Sequence, residues 1–90
     1  MVTLILEKPT WIDHVVVMED IAQGERIRQY FIEGLVGNTW RELCSGTAVG
    51  HKKIDQFDAV QVQQVRLRVI KAAAVPHIRK LAIYNVARNS

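Results

Sequence analysis

The chain has 90 residues, a length that fits one compact domain and excludes two independent cores. Apolar residues make up 49% of it and charged residues 23%, the balance of an ordinary folded protein, which sets aside disordered and fibrous low-complexity classes. The net charge of +3 is small, and the basic pairs Arg26/Arg28, Lys52-Lys53, Arg66/Arg68 and Arg79-Lys80 are interrupted by acids without interleaved aromatics, so no nucleic-acid partner is expected.

Residues 12–18 hold the β-branched run Val15-Val16-Val17, which loses rotamer freedom in a helix and packs well on a pleated surface, so a strand is predicted there. Glu19-Asp20 then reads as a turn whose carboxylates accept backbone N–H groups or pair with Arg26. From Glu25 to Leu35 the apolar positions Ile27, Tyr30, Phe31 and Leu35 also fit a helical stripe, and periodicity alone leaves both readings open. Gly37-Asn38 followed by Thr39-Trp40-Arg41-Glu42-Leu43 resembles a hairpin loop feeding a second strand, which favours a β-hairpin over residues 28–36 and 39–45.

Residues 64–71 alternate Val65, Leu67 and Val69 against Arg66 and Arg68, the pattern of a strand buried on one face, with the arginines turned to water or a partner. A loop is expected at residues 72–76, ending in Pro76, and a closing strand over Ile78–Tyr84. Neither a repeat nor a linker divides the chain, so residues 1–90 are read as a single all-β domain.

No apolar stretch approaches the ~20 residues of a membrane-spanning helix, and the first residues lack the basic region and cleavage site of a secretory leader; no membrane partner is expected. Nucleophile elbow, phosphate-binding glycine loop, H-E-x-x-H and paired Cys-x-x-Cys are all missing. His14, His51 and His77 lack metal-ligand spacing, and the single Cys44 reads as a semi-buried free thiol. No metal, cofactor or catalytic residue is therefore assigned. Trp11 and Trp40 could each offer an apolar ring to a sugar, although large core or edge fillers are the commoner use of tryptophan.

The run Val17-Met18-Glu19-Asp20-Ile21-Ala22-Gln23-Gly24-Glu25-Arg26-Ile27 resembles the L-x-E-D/x-I-x-x-G-Q/E-R-V segment in the C-terminal β-sandwich of bacterial and plant α-L-fucosidases, glycoside hydrolase family 29. Four more blocks follow in that family's order: Gly37-Asn38-Thr39-Trp40, the stretch from Gly46 to Ile54, Val65-Arg66-Leu67-Arg68-Val69, and Pro76 with Leu81-Ala82-Ile83-Tyr84. The resemblance implies an antiparallel, galactose-binding-like (discoidin-type) jelly roll, truncated at its N-terminal side because the family's first strands have no counterpart before Trp11. It also implies a retaining glycosidase as parent, secreted, periplasmic or lysosome-like, whose nucleophile and acid/base lie in a catalytic (β/α)8 barrel that would be this domain's partner. The expected role is a non-catalytic accessory module supporting that barrel. A carbohydrate-binding module for fucosylated or galactosylated glycans is the alternative, with Trp40, His51 and Lys52 as the residues to bind sugar. A homodimer through an exposed sheet edge is the further partner expectation.

Overall fold

The computed structural model describes residues 2–21, 24 and 26–85. Its strands are β1 (Val2–Glu19), β2 (Ile27–Val36), β3 (Thr39–Gly46), β4 (Lys53–Ala72) and β5 (Ile78–Tyr84). Every pairing is antiparallel, in the order β3-β2-β4-β1-β5 within one hydrogen-bonded sheet. The segment around Glu25 to Leu35, which periodicity left between helix and strand, is strand from Ile27 onward.

One sheet becomes two layers because β1 and β4 are 18 and 20 residues long, far beyond the usual ~5–6, and a twisted sheet of that length coils. Their shared ladder shifts register between Ile5 and Thr10 and again between Ile12 and His14, and such bulges sharpen the bend. Pro9 sits in the first interruption, where a residue without an N–H removes no ladder bond. Before the bend, the start of β1 and the end of β4 lie beside β2 and β3; after it, the end of β1 lies between the start of β4 and β5.

The inner faces meet in one core. Ile12, Val15 and Val17 of β1, Ile27, Tyr30 and Ile32 of β2, and Val62, Val65 and Leu67 of β4 are all buried, with Val49 of the β3–β4 loop closing one end. Two glycines mark where the packing is closest. A Cβ on Gly34 of β2 would come within 2.7 Å of Val62 Cγ1 and 3.0 Å of Leu43 Cδ1, and one on Gly46 would meet the Tyr30 hydroxyl at 2.6 Å and its ring carbons at 2.8 Å.

The β2–β3 hairpin closes through Gly37-Asn38 between the paired residues Val36 and Thr39. Gly37 has φ 61°, and no residue other than glycine has positive φ among those described, which is the pattern of a two-residue turn with glycine first. The segment after β1 is tied down by Glu19, whose buried Oε2 accepts the backbone N–H of Arg26 at 2.8 Å and of Ile27 at 3.3 Å. The carboxylate expected on backbone amides is thus in place, although Glu19 belongs to the end of β1 and not to a turn. Arg26 in turn donates from Nη1 to the Val75 carbonyl (2.7 Å), and Asp20 N–H reaches the His77 carbonyl (2.8 Å), anchoring the β4–β5 loop.

Candidate functional site

The outer face of the β3-β2-β4 layer carries a ladder of charge and aromatic rings. Cross-strand partners share a face, so the pairs Phe31↔Arg68, Glu33↔Arg66 and Leu35↔Trp40 place these side chains together on the side away from the core. Glu33 Oε1 accepts a hydrogen bond from Arg66 Nε at 2.7 Å, while Arg68 Nε stands 3.5 Å from the same oxygen as an ion pair without hydrogen-bond geometry. The Arg66 guanidinium lies over the Trp40 ring, 4.0 Å from its centroid, and that of Arg68 over Phe31 at 5.6 Å. Two guanidinium groups shared by one carboxylate leave the face positive, flat and aromatic. Arginine and aromatic residues are enriched at protein–protein contacts for the same reasons.

Trp40 therefore reaches the surface with one ring face occupied by its own chain. His51 and Lys52, the other two residues singled out for sugar binding, are exposed in the turn beyond Val49 and Gly50, where the Gly50 carbonyl receives the Glu19 N–H. That turn follows the far end of β3 from Trp40, and six residues of strand at ~3.3 Å each separate the two places by roughly 20 Å. They do not form one site. Among the described residues there is no group of three or more His, Cys, Asp or Glu that could hold a metal ion. His14 is occupied instead with its neighbour, its Nδ1 lying 2.8 Å from Asp13 Oδ1.

A second polar group lies between the layers. Tyr30 Oη donates to Asp55 Oδ2 at 2.7 Å, and Lys53 Nζ donates to Asp55 Oδ1 at 2.8 Å. Burial, reinforced by the neighbouring Asp55 carboxylate, pushes the Cys44 thiol up to about 12 and raises the Tyr30 phenol well above its ordinary value. Both groups are held in their neutral forms, which suits a structural clamp and not a nucleophile. Sequence alternation located Arg66 and Arg68 on an outer face; their partners Glu33 and Trp40 are 33 and 26 positions away in the chain, and only the register of β2 with β4 brings them near.

Chains of known type share this fold. No protein-family model matches the chain. A Bacteroides thetaiotaomicron structure named as an α-L-fucosidase superposes on 94% of the chain with a TM-score of 0.92 and 40% identity. The crystal structure of SpGH29 covers 92% of it with a TM-score of 0.88 and 29% identity. In sequence, 66 residues are 32% identical to an Oryza sativa subsp. japonica protein named as alpha-L-fucosidase 1. The chain matches the C-terminal β-sandwich domain of family 29 α-L-fucosidases. This domain spans only 20%, 18% and 13% of those three relatives, so in each of them the matched segment is part of a much larger chain. The same fold, at 13% identity and a TM-score of 0.79, occurs in a chitosan-binding module from a Paenibacillus sp. enzyme.

Proposed function

We propose that this domain is a non-catalytic accessory module of an α-L-fucosidase-like glycoside hydrolase, and that it packs against and supports a catalytic (β/α)8 barrel. The observation that carries this reading is the outer ladder. Glu33, Arg66 and Trp40 hold one another in a preformed, flat surface, as a docking face requires, and the same contacts take a ring face of Trp40 away from a sugar. The buried carboxylates support it as well. Glu19 is committed to backbone amides and Asp55 to Tyr30 and Lys53, so neither is placed to protonate or attack a glycosidic bond.

The test is to put this domain in place of the matching segment of the B. thetaiotaomicron chain and follow thermal unfolding. A single transition above that of the truncated barrel is expected, and Arg66→Ala should lower it more in the chimera than in the isolated domain. Separate melting of domain and barrel at their individual temperatures would refute support. For the lack of catalysis, the isolated domain is incubated with 4-nitrophenyl α-L-fucoside; nitrophenol release abolished by Glu19→Gln or Asp55→Asn would contradict the reading.

A further inference from the structure

The bend in β1 and β4 brings the two ends of their ladder to one pole of the molecule, away from the β2–β3 turn, and there a groove of about 480 Å³ opens. Val2, Leu67 and Val69 wall it together with Val75 and Pro76 of the β4–β5 loop and Ile78 of β5. Val75 is 76% exposed, the most of any large apolar residue among those described, yet its loop is pinned. Arg26 Nη1 donates to the Val75 carbonyl, Ala73 N–H to the Arg26 carbonyl at 2.7 Å, and Asp20 N–H to the His77 carbonyl at 2.8 Å. An apolar rim that is exposed and already fixed has little freedom left to lose on binding.

Charge is shared unevenly between the two poles. At the groove end stand Arg26, Arg28, Lys52, Lys71, Arg79 and Lys80 against the carboxylates of Glu19 and Asp20, among the described residues, while Lys53 and Asp55 bond each other. The pole at the bend and the β2–β3 turn has Glu7, Glu42 and Asp58 against Lys8 and Arg41. The excess positive charge of the chain is therefore gathered around the apolar groove.

We propose that this pole is a docking surface for an acidic protein segment, which sets an apolar side chain into the groove while its carboxylates meet the surrounding Arg and Lys. An apolar centre within a charged rim is the usual anatomy of a protein contact, and the sign of the rim selects the sign of the partner. The concave shape decides the class of partner. Filling an apolar hollow takes a projecting apolar side chain; a nucleic acid or a sulfated chain has none to offer, and a bilayer presents a flat surface. The small extent of the patch suits a short segment bound weakly and rapidly, with attraction by the basic rim raising the rate of encounter. Neither of the other two grooves combines these features. One has Arg41 as its single charged lining residue, and the other sets Glu42 and Asp58 beside Arg41. The inference does not depend on whether the domain also supports a barrel.

The test is a ¹H–¹⁵N NMR titration of the full chain with a blocked peptide of sequence EDLFED, its neutral counterpart QNLFQN, its polar counterpart EDSSED, and vesicles of phosphatidylserine and phosphatidylcholine. Saturable shifts with EDLFED are expected at the backbone amides of Val69, Ile70, Val75 and Ile78, with a dissociation constant on the order of 100 μM at low salt. Raising the salt from about 50 to about 500 mM should weaken binding roughly tenfold. Lys80→Glu should cost at least roughly tenfold and Val75→Ser a few-fold, whereas Lys8→Glu at the other pole should leave binding within about twofold. Lys80 and Val75 are both exposed, so either variant secures the test if the other fails to fold. Four results would overturn the proposal: no shifts up to about 5 mM EDLFED, equal binding of QNLFQN or EDSSED, undiminished binding by Lys80→Glu and Val75→Ser, or binding of the vesicles with none of EDLFED.

Discussion

Tyr30 of β2 donates its phenolic proton to Asp55 of β4 across 2.7 Å, joining residues that are not ladder partners, since Tyr30 pairs with Val69 and Asp55 with Val15. The bond therefore joins β2 to the part of β4 beyond the bend, which β2 does not pair with in the ladder. Tyr30→Phe removes it while leaving Asp55 its lysine, and is expected to destabilise by about 1–2 kcal/mol, a fall in Tm of roughly 5–15 °C. Urea denaturation should show a lower midpoint with an unchanged slope. In a double-mutant cycle with Asp55→Asn the two losses should not add; full additivity would mean that the bond does not couple the layers.

Cys44 keeps its proton in the folded state up to about 12, against an ordinary 9.0. Below about pH 9 folded and unfolded chains both hold that proton, so its contribution is complete there. As pH rises from 9.0 toward 12 the unfolded chain loses the proton while the folded one keeps it, and stability falls. Tyr30 acts in the same direction from its ordinary 10.0 upward. Tm should decline as pH rises from about 9 toward about 12, less steeply in Cys44→Ala. A thiol reagent at neutral pH should modify Cys44 much more slowly in the folded domain than in the urea-unfolded chain, because the half-buried thiol is kept protonated.

Glu19 is buried with Oε2 on two backbone amides. Glu19→Ala strands the Arg26 and Ile27 N–H groups, and a loss of about 2–4 kcal/mol is expected. Glu19→Gln retains a carbonyl oxygen for them and should lose less than half as much. Equal losses would assign the effect to charge and not to the amide contacts. Calorimetric melting of the three proteins decides between them.

Arg66 both bonds Glu33 and covers Trp40. Arg66→Lys keeps the charge but neither the planar fork nor the stacked plane, so about 1 kcal/mol of stability should be lost. Trp40 fluorescence should at the same time become more open to iodide quenching, read against a Trp11→Phe background so that one tryptophan reports. Unchanged quenching would show that the guanidinium does not shield the ring.

Much of this architecture was legible in the chain itself. The Val65/Arg66/Leu67/Arg68 alternation marks the half-buried end of β4, Gly37-Asn38 marks the hairpin, and Ile78–Tyr84 is β5. The pattern alone begins β1 at residue 12 and β4 at residue 64, whereas the strands begin at Val2 and Lys53. In the first extension Lys8 and Pro9 fall in a bulge that breaks period two, and in the second Asp55 is polar yet largely buried because Tyr30 and Lys53 satisfy it. Nor does the chain reveal that Trp11 and Gln61 are neighbours, 50 positions apart; that depends on a register which the bulges set.

The continuity of the sheet through its bend has a consequence for aggregation and for folding speed. A sandwich of two separate sheets exposes four strand edges, but among the described residues this one has two, β3 and β5, each carrying charges such as Arg41 with Glu42 and Arg79 with Lys80 that discourage unwanted pairing. The join that removes the other two edges is the long β1–β4 ladder, whose partners lie from 36 residues apart at Val17↔Lys53 to 65 at Val2↔Leu67. Nothing local can form it early, so the domain should fold on the slow, millisecond-to-second side of small proteins, with its least guarded moment before β1 and β4 meet.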